Sequence, residues 1–378
     1  MKHQTTRYGE IPFYKIGTFG NTADAFISKK LFLEYQTKYS FPKKGDILIS
    51  ASGTIGRAVI YDGKPAYFQD SNIVWIDNDE TLVKNDFLFY AYSHVKWNTE
   101  HTTILRLYND NFKNTLIPLP PLNEQIAIAN ILSDVDRYLY SLDALILKKE
   151  SVKKALSFEL LSQRKRLKGF NQAWQRVRLG DMTTSFTKQT GFDYSDFIKP
   201  TLIKEYLPNY IPFIQNKDFL GHYINYKTDY FIPNEIAIRF PQILLNEKCL
   251  LISVSGAIGN VAVFNHSQDA FIGGAIAVLK FKEKKSLDFV MHFLMSASGQ
   301  KLLLNGVKSS SHKNLTIADL RDLLIPLPPL NEQIAIANIL SALDHEIISL
   351  KNKKRQFENI KKALNHDLMS AKIRVLKK

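Results

Sequence analysis

The chain has 378 residues, 45% apolar and 12% aromatic, which suits two folded domains with cores of their own and excludes a disordered polymer. No apolar run reaches the roughly 18 residues that span a bilayer, the start MKHQTTRYGE has no apolar signal core, and the single Cys249 excludes an internal disulfide or cysteine-rich zinc site, so a cytoplasmic protein with no membrane partner is expected. The formal charge of +14 points to a polyanion such as nucleic acid, and two short segments carry all of it: 148–168 has eight Lys/Arg against Glu150 and Glu159, and 351–378 has ten against Glu358 and Asp367.

The first segment of the chain holds apolar, β-branched and aromatic runs broken by glycine, DILISASGTIGRAVIY and then AYFQDSNIVWI. They predict buried strands joined by tight turns, with a short helix at DFLFYAYSHVKW. At Pro120-Pro121 the character changes. Proline is tolerated at a helix start, and no Pro or Gly follows until Gly169. Ile128, Leu132, Val135, Leu139, Leu142, Ile146, Lys149, Lys153, Leu156 and Leu160 occupy heptad seam positions, so a long coiled-coil helix is expected from Leu122 to Leu167. It would span about 67 Å at 1.5 Å per residue.

The plan then repeats. LIPLPPLNEQIAIANILS runs from Leu116 to Ser133 and again, unchanged, from Leu324 to Ser341, an offset of 208. KKAL at 153–156 returns at 361–364 with the same offset, LISASGTIG at 48–56 returns as LISVSGAIG at 251–259, and IPF at 11–13 returns at 211–213. This is a tandem duplication of about 200 residues, not a short-period solenoid. The expected class is α+β: two mixed α/β globules separated by an antiparallel coiled coil of two long helices, related by a pseudo-twofold internal duplication. Expected boundaries are 1–115 for globule one, 116–168 for the first corner and helix, 169–323 for globule two and 324–378 for the second corner and helix.

Catalytic signatures are missing from the sequence. There is no GxxxxGK[ST] loop, no HExxH, no metal spacing among the nine histidines, and Pro-Pro occurs only in the two corners. SGTIG and SGAIG are poorly spaced for a dinucleotide loop and read as tight turns.

These features together resemble the specificity (S, HsdS-type) subunit of type I restriction–modification systems over nearly the whole chain. The duplicated Leu-Pro corner with Glu-Gln and an amphipathic helix fits that family's pattern. WQRVRLGDM (174–182) resembles the opening of a target-recognition domain, and GVKSSSHKNLTIADLRDLLIPLPPL resembles its close. The resemblance implies that each globule is a target-recognition domain reading one half of a bipartite site in double-stranded DNA. It implies that the long helices hold two methyltransferase (M) subunits, and that restriction (R) subunits join them. Catalysis, with S-adenosylmethionine and with ATP and magnesium, would belong to those partners; this chain would be non-catalytic, with no cofactor or metal of its own.

One departure stands out. Trp174–Pro200 has no counterpart before globule one, because Met1 aligns near Thr201, so the first target-recognition domain is expected to be shortened at its N-terminus. An alternative reading follows: a shortened S-like structural or regulatory protein that holds M subunits without reading a full site. A third reading, a nuclease fused to a recognition module, is disfavoured because no spare segment is expected for a catalytic domain.

Base readout needs Arg, Lys, Asn, Gln, Ser or Thr at base edges. Loop candidates in globule one are Lys15, Ser52, Thr54, Arg57, Lys64, Gln69, Asn72 and Arg106. In globule two they are Gln215, Asn216, Lys217, His222, Asn260, Lys308, Ser310, His312 and Lys313. For M subunits the unchanged corner suggests one surface used twice, with Glu124 and Gln125 in one copy and Glu332 and Gln333 in the other. Lys153 and Lys361, lysines on the seam, are further partner-binding candidates.

Overall fold

The computed structural model describes residues 4–68, 72–97, 106–189, 193–305 and 314–376. It divides into two compact units, residues 1–145 with 350–378 and residues 146–349. No helix among the described residues is long and apolar enough to cross a membrane.

The first unit contains β1 (Ile11–Tyr14), β2 (Ala25–Ile27), α1 (Lys29–Lys38), β3 (Ile47–Ser50), β4 (Ala58–Ile60), β5 (Tyr67–Phe68), β6 (Ile73–Trp75), α2 (Asn85–His94), α3 (Asn109–Lys113) and the first part of α4 (Leu122–Leu161). β1 pairs antiparallel with β2 and parallel with β5, and β3 lies antiparallel between β4 and β6. β3 is buried along its whole length, as its ILIS run requires.

The second unit completes α4 and adds β7 (Gln175–Arg178), β8 (Thr183–Lys188), β9 (Tyr210–Ile214), β10 (Phe219–Leu220), β11 (Tyr223–Ile224), β12 (Phe231–Pro233), α5 (Asn234–Ala237), β13 (Leu244–Leu245), β14 (Cys249–Ser253), β15 (Val261–Phe264), β16 (Ala270–Ile272), β17 (Ile276–Phe281), α6 (Leu287–Met295), α7 (Ala297–Asn305), α8 (Ile317–Arg321), β18 (Leu324–Leu327) and the start of α9 (Leu330–Met369). Its two four-stranded sheets run β12-β9-β16-β13 and β15-β14-β17-β8. The duplication holds in the register of the shared strands. Phe13 faces Tyr67 as Phe213 faces Phe271, and Ser50 faces Ile73 as Ser253 faces Ile276.

The long helices are each 40 residues, about 60 Å, shorter than the sequence suggests. Gln163 and Ala371, 208 residues apart, both adopt left-handed φ, +62° and +55°, just past the helix ends. The amide of Lys165 then donates to the Glu159 carbonyl at 3.1 Å, and that of Ile373 to Asp367 at 3.3 Å. This is the capping pattern that closes a helix and turns the chain back, here at roughly 1 kcal/mol for each non-glycine residue in that region.

Within each unit the two helices run antiparallel. In the first, Asp136 meets Lys361 and Asp143 meets Lys354. In the second, Lys149 meets Glu346 and Lys153 meets Asp344. Ile128, Ala129 and Leu132 of α4 join Leu368 and Met369 of α9 and Phe87 of α2 in one core; Ile336, Ala337 and Leu340 join Leu160, Leu161 and Phe289 in the other.

Candidate nucleic-acid interface

Each unit builds the same polar tip from three segments. In the first unit, the turn between β3 and β4 needs left-handed backbone at Gly53 and Gly56, with φ +69° and +81°. Gly56 N–H donates to Ser50 O at 2.9 Å, Ala51 N–H to Asn72 O at 2.8 Å and Leu107 N–H to Ala51 O at 2.9 Å. In the second unit, Gly256 and Gly259 take φ +73° and +85°, and the same bonds recur: Gly259 to Ser253 at 3.0 Å, Val254 to Ala275 at 2.8 Å, Leu315 to Val254 at 3.0 Å. Space is tight at the first unit's turn: a Cβ on Gly56 would fall 2.1 Å from Trp97 Nε1.

The tip gathers most of the sequence candidates. Thr54 and Arg57 are exposed on the first turn, Ser52 bridges Arg106, and Arg57 Nη1 donates to Phe19 O at 3.0 Å. Lys15 follows β1 and pairs with Asp24 at 2.8 Å; the neighbouring Ile16 lies against Gly53. Asn72 contributes its backbone carbonyl. In the second unit Gln215, Asn216 and Lys217 line a cleft of 280 Å³ with Gly273 and Gly274. Asn216 Nδ2 donates to Ser255 O at 2.6 Å, and its buried Oδ1 has no hydrogen-bond partner among the described residues. Lys217 pairs with Asp229, and Asn260 is exposed beside the turn.

Two candidates lie elsewhere. Lys64 sits past β4, at the opposite end of the hairpin from the turn, paired with Asp62 at 3.2 Å. His222 lies against α9, with Nε2 3.1 Å from Asp344 Oδ2. Gln69, Lys308, Ser310, His312 and Lys313 fall outside the described residues. Asn314, exposed next to Leu315, occupies the place of Arg106 and escaped the sequence reading because only the hydrogen bond of its neighbour aligns the two.

The helix candidates are all engaged within the chain. Glu332 is fully buried; Arg166 donates to both its oxygens, at 2.7 and 2.6 Å, and Trp174 Nε1 adds a third bond at 3.1 Å. Glu124 accepts from Arg374 at 2.8 Å, and that guanidinium holds its carboxyl below the usual range. Gln125 donates to the carbonyls of Leu82 and Pro120 and accepts from Lys84 N–H; Gln333 donates to Pro328 O at 2.6 Å. Lys153 pairs with Asp344, and Lys361 with Asp136 at 2.5 Å. The two Glu–Arg pairs correspond at an offset of 208, as do the two Lys–Asp pairs, the signal in the sequence that could have revealed them.

Around these pairs the units differ. Tyr90 donates to Asp136 at 2.8 Å, while His222 and His292 flank Asp344. Burial pushes the Asp344 carboxyl up, yet hydrogen bonds from His222 and Lys153 hold it below its ordinary pKa. Tyr138 packs on Phe357 where the second unit has Glu346 paired with Lys149.

Residues 1–150 and 171–359 match the family model for the type I restriction modification DNA specificity domain. A putative type I restriction enzyme MjaX specificity subunit from Methanocaldococcus jannaschii is 30% identical over 359 residues, covering 88% of this chain and 79% of its own. The putative specificity subunit S.HindORF215P of Haemophilus influenzae is 65% identical over 133 residues; that match spans 35% of this chain and only 34% of the relative's length. The crystal structure of a type I system S subunit from M. genitalium shares the fold, with a TM-score of 0.63 at 18% identity over 98% of this chain and 91% of that one.

Proposed function

Because the chain belongs to the type I restriction–modification DNA specificity family, we propose that it is the sequence-specificity subunit of such a complex, each tip reading one half of a bipartite DNA target. One observation carries the reading: the two tips share a hydrogen-bonded frame but differ in the side chains set on it. Lys15, Arg57 and Arg106 in the first unit stand where Gln215, Asn260 and Asn314 stand in the second. Cations suit guanine O6 and N7, and amides suit adenine N6 and N7, so two unlike half-sites fit one frame. The turn amides and the basic segments supply contacts to phosphate.

In this proposal the chain is non-catalytic; two M subunits dock on the long helices, R subunits join the complex, and S-adenosylmethionine and ATP with magnesium serve those partners. The test is sequencing of modified bases in cells with and without the gene. A bipartite methylated motif that disappears on deletion supports the proposal; an unchanged methylome sinks it. The second reading, an S-like structural protein that holds M subunits without reading both halves, is favoured by one feature of the first unit: none of its described residues forms counterparts of β7 and β8. Methylation that depends on only one half-site would support it.

A further inference from the structure

In the second unit, residues 174–188 form a strap that closes the globule. Trp174 bonds Glu332, β7 pairs with β18, Leu179 N–H donates to Leu323 O at 2.8 Å, and β8 pairs with the outer edge of β17. The strap buries Leu179, Met182 and Phe186 among Ala277, Leu279, Leu315, Leu320, Leu323 and Ile325. The Arg321 stem crosses close over Gly180, 3.1 Å from a Cβ built there; Arg321 then donates to Phe186 O at 3.3 Å.

Among its described residues, the first unit has the receiving surface without a strap. The counterparts of those six core residues are Val74, Ile76, Leu107, Phe112, Thr115 and Ile117, and all six line a cleft of 510 Å³. Lys113 stands in the place of Arg321, on its rim. The sequence LIPL is the same in both units, yet no strand pairs with it at 116–119 among the described residues, and Leu116 is 92% exposed against 44% for Leu324. The outer edge of β6, the counterpart of β17, is likewise unpaired among the described residues. Thr6 is committed elsewhere: it bridges Phe26 as Ile203 bridges Phe231, downstream of the strap.

We propose that this cleft is a docking site for an extended strap with the pattern of 174–188, from a segment outside residues 1–378. Its Trp would reach Glu124, its first strand would pair with 116–119, its Leu and Phe would fill the cleft, its Gly would pass the Lys113 stem, and its second strand would add to β6. Main-chain pairing supplies affinity and the side-chain pockets supply selectivity. The duplicate half of the same molecule, with the same groove filled, identifies the occupant. This goes beyond the DNA-reading role and does not rest on it.

The test adds a synthetic peptide of residues 174–188 to the full chain and follows amide hydrogen exchange. Saturable protection at 73–78 and 115–119 is expected, and peptides carrying Leu179→Asp or Gly180→Val should bind about tenfold more weakly or worse. No added protection there, protection confined to 276–281 and 324–327, or equal binding by the substituted peptides overturns the proposal. So does a dimer of the free chain that already protects the cleft, which would make a second copy the occupant.

Discussion

Arg166 holds the Glu332 carboxylate by two hydrogen bonds of 2.7 and 2.6 Å, and Arg374 holds Glu124, 208 residues earlier, in the same way at 3.3 and 2.8 Å. Each arginine follows the end of one long helix and each glutamate opens the other. The duplicated corner is therefore matched to the duplicated tail, which gives Glu124 and Glu332 the same intramolecular role.

Glu332→Gln should lower the melting temperature more than Glu124→Gln, because Glu332 also accepts from Trp174. Each removes the charge that its arginine needs. A double-mutant cycle with Arg166→Gln should show coupling for Glu332 and none for Glu124. Equal melting of all variants would mean these pairs do not hold the helix ends.

The seam lysines differ in setting. Asp344 and Lys153 have side chains 6% and 27% exposed, against 36% and 30% for Asp136 and Lys361. Asp344→Ala leaves Lys153 without its partner in a largely dry site and should cost about 3 kcal/mol. Asp136→Ala, in a wetter one, should cost about 1 kcal/mol. Chemical denaturation of both variants checks the order; a larger loss for Asp136→Ala would reverse the argument.

Stability should fall in acid through His292. Burial pushes its imidazole down to about 3; the Asp344 carboxylate, 4.0 Å away, opposes this, while His222 and Lys153 add to it. An unfolded histidine protonates near the ordinary 6.5. Between those values the unfolded chain binds one more proton, so stability is complete above 6.5 and falls by about 1.4 kcal/mol for each pH unit below it. Asp344, also held low, acts in the same direction. His292→Gln, which can still bond Ser341, should flatten the melting profile between pH 6.5 and 4. An unchanged slope would remove His292 as its source.

On the proposed DNA reading, Arg57→Ala should relax one base position in one half-site and Asn260→Ala one in the other, each by about 1–3 kcal/mol. Binding assays on targets substituted one position at a time distinguish this from a uniform loss, which would reassign both side chains to phosphate.

The sequence alone determined the duplication, the mixed α/β units, the paired long helices and the family, because these rest on local signals: strand-length apolar runs, glycine turns, a proline corner and a heptad seam. The tertiary structure decided which polar residues are used internally. Glu124 and Glu332 read as a docking surface and Lys153 and Lys361 as seam lysines, but their partners lie 250, 166, 191 and 225 residues away, and no local pattern reports a contact at that separation. His222 reads as a loop residue until a hairpin lays it against α9. The helix ends also needed the structure, since Gln163 and Ala371 carry no glycine to announce the left-handed turn that lets each arginine reach back. Periodicity fixes which face of an element is apolar; only the packed chain fixes which charge meets which.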